Sequence, residues 1–165
     1  MDSVGRARTR HVTKGMGRAA EWQARAGTCP NQAVPLAADK IALMDISKTF
    51  RIEAAHRLPN VPPGHKCARL HGHSFGIEVH VRGPLHAELG WVMDFADLAS
   101  AFAPLFERLD HRYLNEVSGL ENPTSENLAR WVWDALAPRL PLLDHVIVHE
   151  TCTTACRYDG PAKDT

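Results

Sequence analysis

Long apolar runs are missing from this 165-residue chain. None approaches the roughly 18 residues that a membrane-spanning helix needs, and no signal-peptide core is present. An excess of charge of one sign is missing too, since 19 Lys and Arg balance 19 Asp and Glu. The balance hides an asymmetry. Residues 1–43 carry seven basic against three acidic side chains, and residues 44–165 carry twelve against sixteen. The slightly acidic body is therefore not a nucleic-acid binder by charge. Cysteine is sparse: four residues at irregular spacing do not make a disulfide framework. On one strand, Cys152 and Cys156 would stand about 13 Å apart at ~3.3 Å per residue, beyond the ~7 Å reach of a disulfide. These absences predict a cytoplasmic protein with reduced thiols, no membrane contact and no nucleic-acid partner. Internal repeats and low-complexity tracts are also lacking.

What is present fits one domain of ordinary globular composition, 44% apolar and 23% charged. Residues 1–43 show neither a strand nor a helix period and are rich in Arg, Ala and Gly; they are expected to be a disordered extension. Arg6, Arg8 and Arg10 there are read as solvated, with a weak basic arm as the alternative. Met44 stands directly before the first patterned stretch, opens the expected domain, 44–165, and is a candidate natural start of translation. In SKTFRIEAAH, Phe50, Ile52 and Ala54 alternate with polar neighbours, which predicts a strand. In HGHSFGIEVHVRG, Phe75, Ile77, Val79 and Val81 share one face of a second. MDFADLASAFAPLFERLD places Phe95, Leu98, Ala99, Phe102 and Phe106 at helical spacing, with Asp94 as N-cap. Pro104 should kink that helix or end its first segment. A second helix is capped by Thr124, carries Leu128, Trp131, Val132 and Ala135 inward, and stops at Pro138. DHVIVHETCTT gives a late strand. The order points to an antiparallel α+β layer.

Three histidines fall into one pattern. The inward stripe of the first strand, Phe50–Ile52–Ala54, continues to His56. The second strand's stripe begins with His71 and His73. If the two strands pair antiparallel, all three imidazoles project from one face at one end of a hairpin. Three nitrogen donors with a fourth position open are what catalytic zinc requires. Gly72, between two of them, leaves the other face clear. Cys67 lies in the fourteen-residue loop 57–70 with Arg57, His65, Lys66 and Arg69, a positive setting that favours thiolate. It is either a catalytic thiol beside the metal or a fourth ligand. Asp110 and His111 are a carboxylate–imidazole pair able to partner that thiol, though such a dipeptide is often a helix-end cap. His145 and His149 share the face opposite Glu150 and are read as surface or interface residues in preference to a second metal site. Trp91, Trp131 and Trp133 are read as core or interface residues and not as substrate stackers.

The set FRIEAAH, KCARLHGH, GWVMDF, LDHRYLN, NPTSEN and HETCTT resembles the 6-pyruvoyl-tetrahydropterin synthase superfamily, from about Asp45 to about Gly160. It is most similar to the bacterial branch that makes 6-carboxy-5,6,7,8-tetrahydropterin for queuosine. The four-residue step from the cysteine to the first histidine of HGH resembles that branch. The resemblance implies a zinc ion on His56, His71 and His73, with Cys67 as general base and Asp110 and His111 as the second proton-transfer pair. It makes Glu150 the pterin anchor, and a carboxylate suits the paired donors of a pterin ring. Glu150 alternates with Val146 and Val148 on an inward face, where a carboxylate needs a partner. Thr124 and Lys66 join it as substrate-binding candidates. Lys66 and Arg69 would face the triphosphate, or be solvated loop charges. The implied fold is the tunnelling fold: a four-stranded antiparallel sheet with two helices on one face. Three such subunits close a barrel, two rings stack into a homohexamer, and the active sites lie at subunit interfaces. The implied reaction converts 7,8-dihydroneopterin triphosphate to 6-carboxy-5,6,7,8-tetrahydropterin, releasing acetaldehyde and triphosphate. Triphosphate elimination to the 6-pyruvoyl product, or a silent zinc- and pterin-binding module, are the alternatives.

Overall fold

The computed structural model describes residues 42–162. Of the expected disordered extension, 1–43, residues 1–41 lie outside that range, while Ala42 is described and Leu43 is strand instead. Strand β1 begins at Leu43 and runs to His56, so it takes in Met44 and starts earlier than its sequence pattern suggested. Strand β2 spans His71–Pro84, helix α1 Phe95–Leu109, β3 Arg112–Tyr113, helix α2 Ser125–Leu136, β4 Leu143–Thr151 and β5 Thr154–Tyr158. The sheet has five strands in the order β3-β1-β2-β4-β5. The four expected strands are antiparallel. The fifth, β3, is a two-residue strand parallel to β1 and too short to carry a periodic signal. Cys152 sits in the turn between β4 and β5 and not on a strand with Cys156. Cys67, Cys152 and Cys156 are all free thiols.

Helix α1 packs on β1 and β3, and α2 on β4 and β5, both covering the same side of the sheet. Ile52, Phe75, Ile77, Val79, Val81, Val146 and Val148 supply the buried sheet face. Both expected caps form. Asp94 accepts from Ala96 N at 2.8 Å, and Thr124 Oγ1 accepts from Asn127 N at 3.2 Å. The buried stripe of α1 is Leu98, Phe102, Leu105 and Leu109, so Leu98 and Phe102 are buried as expected, while Phe95 and Phe106 are exposed and Leu105 and Leu109 take their place. Helical spacing alone leaves these flanking positions open, and packing against the sheet decides them. Phe50 stacks on Phe102 with ring centroids 3.9 Å apart. The helix continues through Pro104, which therefore does not end its first segment. Pro104 and Ser100 both face solvent, so water can satisfy the carbonyl that loses its partner. A cost of about 3 kcal/mol for an interior proline is outweighed by four buried side chains worth about 1.5–3 kcal/mol each.

Trp131 and Trp133 pack as expected. Trp131 Nε1 donates to Ser118 O at 3.1 Å, and Trp133 meets Tyr158 edge to face. Trp91 is exposed in the single chain and is not part of its core. No helix among the described residues is long and apolar enough to cross a membrane.

The sheet's other face is polar. Glu78 on β2 is bonded by His80 Nε2 at 3.1 Å and by His149 Nε2 at 2.7 Å, while Asp144 takes His145 Nδ1 at 2.8 Å. The hydrogen bond from His80, ahead of that from His149, holds the Glu78 carboxyl below its ordinary 4.5. The bond from His145 does the same for Asp144 against 3.8. Both folded carboxylates bind protons less tightly than the unfolded ones. Their stabilisation is therefore present above the ordinary values and lost as pH falls through the lowered ones. Urea unfolding between pH 3 and 6 should show stability declining below about pH 4.5, with the upper part of that decline flattened in Glu78→Gln. An unchanged acid limb in that variant would remove Glu78 as a contributor.

Candidate active site

The register of β1 and β2 sets His56 directly opposite His71, and Ala54 opposite His73. All three imidazoles project to the helix-covered side, with ring centroids 4.5 to 5.1 Å apart. Gly72 makes this close pairing possible, because a Cβ there would stand 3.2 Å from Ala54 O on the neighbouring strand. His56 is fully buried, and its Nδ1 donates to Pro123 O at 2.9 Å. His71 Nδ1 donates to Arg69 O at 2.8 Å. A carbonyl can only accept, so each Nδ1 keeps the ring's proton and each Nε2 is left as a bare lone pair.

Those two Nε2 atoms face each other at 3.1 Å. A hydrogen bond between them would need one ring to be doubly protonated, which burial opposes. His73 Nε2 is buried with no hydrogen-bond partner, its 3.2 Å approach to Glu150 Oε1 being off the line of a bond. Burial, ahead of any neighbouring charge, lowers the pKa of His56 and of His73, so both are neutral near pH 7. Neutral rings with converging lone pairs repel one another alone and are held together around a cation. The residues present fit a zinc ion.

Glu150 lies closer to this cluster than a remote anchor would. Its Oε2 accepts from Ser125 Oγ at 2.7 Å, and its Oε1 lies 3.9 Å from His56 Nε2. One ligand atom each of His56, His71, His73 and Glu150 lies within 4.8 Å of the others. The carboxylate can thus be a fourth ligand, or it can turn outward to a substrate. Cys67 stands outside that set. It is half-buried in a single 3-10 turn, Lys66–Ala68, whose start is capped by His65 Nδ1 accepting from Cys67 N. It lines a cavity of about 910 Å³ together with Lys66, Arg69, His71, His73, Thr124, Ser125 and Glu150.

Asp110 and His111 do not reach that cavity. They lie at the end of α1, and His111 opens on a shallower hollow of about 540 Å³ lined also by Glu53, Ser74 and Tyr113. Residue 53 holds the pair by its backbone: its N donates to Asp110 Oδ1 at 2.9 Å, and its O accepts from His111 N at 2.6 Å. Asp110 Oδ2 accepts from His111 Nδ1 at 2.8 Å. The Glu53 amide first, then the His111 ring, keeps the Asp110 carboxyl below its ordinary range. The expected meeting of this pair with Cys67 is not made within one chain.

Residues 45–161 match the family described as 6-pyruvoyl tetrahydropterin synthase. The chain belongs to that family. A 6-carboxy-5,6,7,8-tetrahydropterin synthase from Synechocystis is 47% identical over 122 residues, covering 70% of this chain and 93% of its own. A 6-pyruvoyl tetrahydrobiopterin synthase from Drosophila melanogaster is 33% identical over 138 residues, covering 73% and 81%. The structure of 6-pyruvoyl tetrahydropterin synthase from Caenorhabditis elegans superposes with a TM-score of 0.68 at 26% identity, over 73% of this chain and 98% of that one.

In this tetrahydropterin synthase family member, several site residues escaped the sequence. Ser125 and Pro123 flank Thr124 in NPTSEN and act on Glu150 and His56, respectively. Asn115 in LDHRYLN accepts from Arg57 N at 3.0 Å and donates to Arg57 O at 2.9 Å, pinning the chain where it leaves β1. Only the clustering of these residues into motifs hinted at them. His111 itself adopts φ 55°, a left-handed conformation costly for any residue with a Cβ. His111→Gly should therefore leave the unfolding free energy within about 1 kcal/mol of wild type. His111→Val should cost about 1–2 kcal/mol. Equal stabilities for the two variants in denaturant titrations would refute the backbone assignment.

Proposed function

We propose that this chain is a zinc-dependent lyase that converts 7,8-dihydroneopterin triphosphate to 6-carboxy-5,6,7,8-tetrahydropterin, with release of acetaldehyde and triphosphate, in queuosine biosynthesis. The observation that carries the reading is the clustering of His56, His71, His73 and Glu150, with His71, His73 and Glu150 opening on the cavity that also holds Cys67. The 47% identity to a protein of that name, against 33% for the 6-pyruvoyl synthase, favours the carboxy product over the pyruvoyl one.

His56, His71 and His73 would hold the zinc, which when bound supplies Lewis acidity to the substrate's side-chain hydroxyls. Glu150, steadied by Ser125, accepts the parallel N–H donors of the pterin ring. The Thr124 oxygen already accepts from Asn127 N, which leaves its hydroxyl proton free to donate to the ring. Lys66 and Arg69 at the cavity rim face the triphosphate. Cys67, as thiolate, removes a proton from the side chain, and His111, oriented by Asp110, moves one on its opposite side.

Cys67 and His111 open on different cavities, so we assign the two halves of one catalytic centre to two copies of the chain. This arrangement is consistent with a homohexamer built of two trimers. Co-expressed Cys67→Ala and His111→Ala subunits should then regain activity that neither variant has alone. Absence of rescue in verified mixed oligomers would return the whole site to one chain.

Metal content separates the two roles open to the thiol. Cys67→Ala should keep the zinc of this site and its pterin affinity while turnover falls about 10²- to 10⁴-fold. His73→Ala should lose that zinc. Glu150→Ala should chiefly weaken pterin binding. Zinc lost from Cys67→Ala in step with activity would make the thiol a ligand and overturn the mechanism.

A further inference from the structure

The polar face of the sheet, opposite the candidate active site and outside both cavities, gathers another set of donors. Asp45 on β1, His80 on β2 and His145 on β4 come from three adjacent strands, and His80 is directly opposite His145 in the register. Their rings stack with centroids 3.9 Å apart and planes 20° apart. A ring nitrogen of each histidine and a carboxylate oxygen of Asp45 lie within 4.8 Å of one another.

His145 is unusual for a residue on a polar face, being only 4% exposed. Its Nδ1 donates to Asp144 Oδ2 at 2.8 Å, and Asp144 stands where the pairing of β2 and β4 is irregular. In the neutral ring that bond leaves Nε2 as an acceptor, and no hydrogen bond to it is present among the described residues. A largely buried imidazole with one nitrogen backed by a carboxylate and the other open to a ligand bond is the arrangement of a metal-ligating histidine. His80 repeats the theme. Its Nε2 is backed by Glu78 Oε2 at 3.1 Å, and Glu78 is itself fixed by His149; its Nδ1 faces Asp45 Oδ1 at 2.9 Å. Each of the two imidazoles therefore has one nitrogen held by a carboxylate outside the donor set.

We propose that Asp45, His80 and His145 form a second metal site, which binds a divalent first-row transition ion such as zinc or cobalt. Two imidazole nitrogens and one carboxylate oxygen suit that class, whereas magnesium and calcium prefer all-oxygen sites. Ligand bonds of about 2.0–2.2 Å need donors about 3.3–3.6 Å apart, so binding turns the two rings out of their present stack until their in-plane lone pairs converge. The ion takes the place of the proton shared by His80 and Asp45. With ligands on β1, β2 and β4, it cross-links three strands, so its role is to stabilise the sheet and not to turn over substrate.

The full-length chain, stripped by chelator, is titrated with zinc, and bound metal is counted after gel filtration. Wild type should hold two equivalents, and His145→Ala and His73→Ala one each. Asp45→Ala changes an exposed side chain and should fold normally; its second equivalent should bind at least about tenfold more weakly. Zinc at saturation should raise the Tm of His73→Ala but not that of the His73→Ala/Asp45→Ala double variant. A single equivalent in the wild type, lost in His73→Ala, would overturn the second site and leave the first intact. Two tight equivalents in Asp45→Ala would overturn it as well. A single equivalent kept in His73→Ala and lost in both His145→Ala and Asp45→Ala would uphold this site and count against the zinc site proposed for catalysis.

Discussion

The pairing of β1 with β2 is the constraint on which everything else hangs. Each strand is 14 residues long, and their register runs without a break from Leu43 opposite Pro84 to His56 opposite His71. Side chains alternate between faces, so a slip of one residue would send all of one strand's inward groups to the other side. The buried hydrophobic row from Phe75 to Val81 makes that slip prohibitively costly. The same row thereby locks His71 and His73 onto the face where His56 ends its strand. The apolar core and the polar donor cluster are consecutive parts of one periodic pattern, and the energy of the first fixes the geometry of the second.

Because that pattern has period two, the convergence of the three histidines was legible in the sequence. The parity of His56, His71 and His73 relative to their apolar neighbours is local information, and so were the caps at Asp94 and Thr124. What escaped depends on contacts far apart in the chain. Which apolar residues of α1 join Leu98 and Phe102 in the core is decided by packing against a sheet distant in sequence, and there Leu105 and Leu109 are buried while Phe95 and Phe106 are not. The short β3 exists only because β1 offers it an edge at Ala54 and Ala55. The carbonyls of Arg69 and Pro123 that fix the ring tautomers carry no side-chain signature at all. Within one chain Asp110 and His111 lie away from the cavity of Cys67, and how far apart the two stand in an assembly is information that no single chain carries.

The two faces of the sheet use histidine in contrasting ways. On the covered face, backbone carbonyls orient His56 and His71, and burial keeps His56 neutral. On the polar face, carboxylates orient them, and Glu78 and Asp144 stay ionised through those same bonds. A backbone carbonyl cannot be protonated or rotated out of reach, so the first arrangement is rigid across a wide range of conditions. A carboxylate can be protonated, so the second is adjustable.

The start of α2 has a consequence for how the site responds to what it binds. Pro123, Thr124 and Ser125 are consecutive; the first orients His56, the second caps the helix, and the third holds Glu150. A displacement of this one turn moves the imidazole and the carboxylate together. Occupancy at the imidazoles and occupancy at the carboxylate are therefore coupled free energies. By reciprocity, any factor by which the first tightens the second must be returned in full in the other direction.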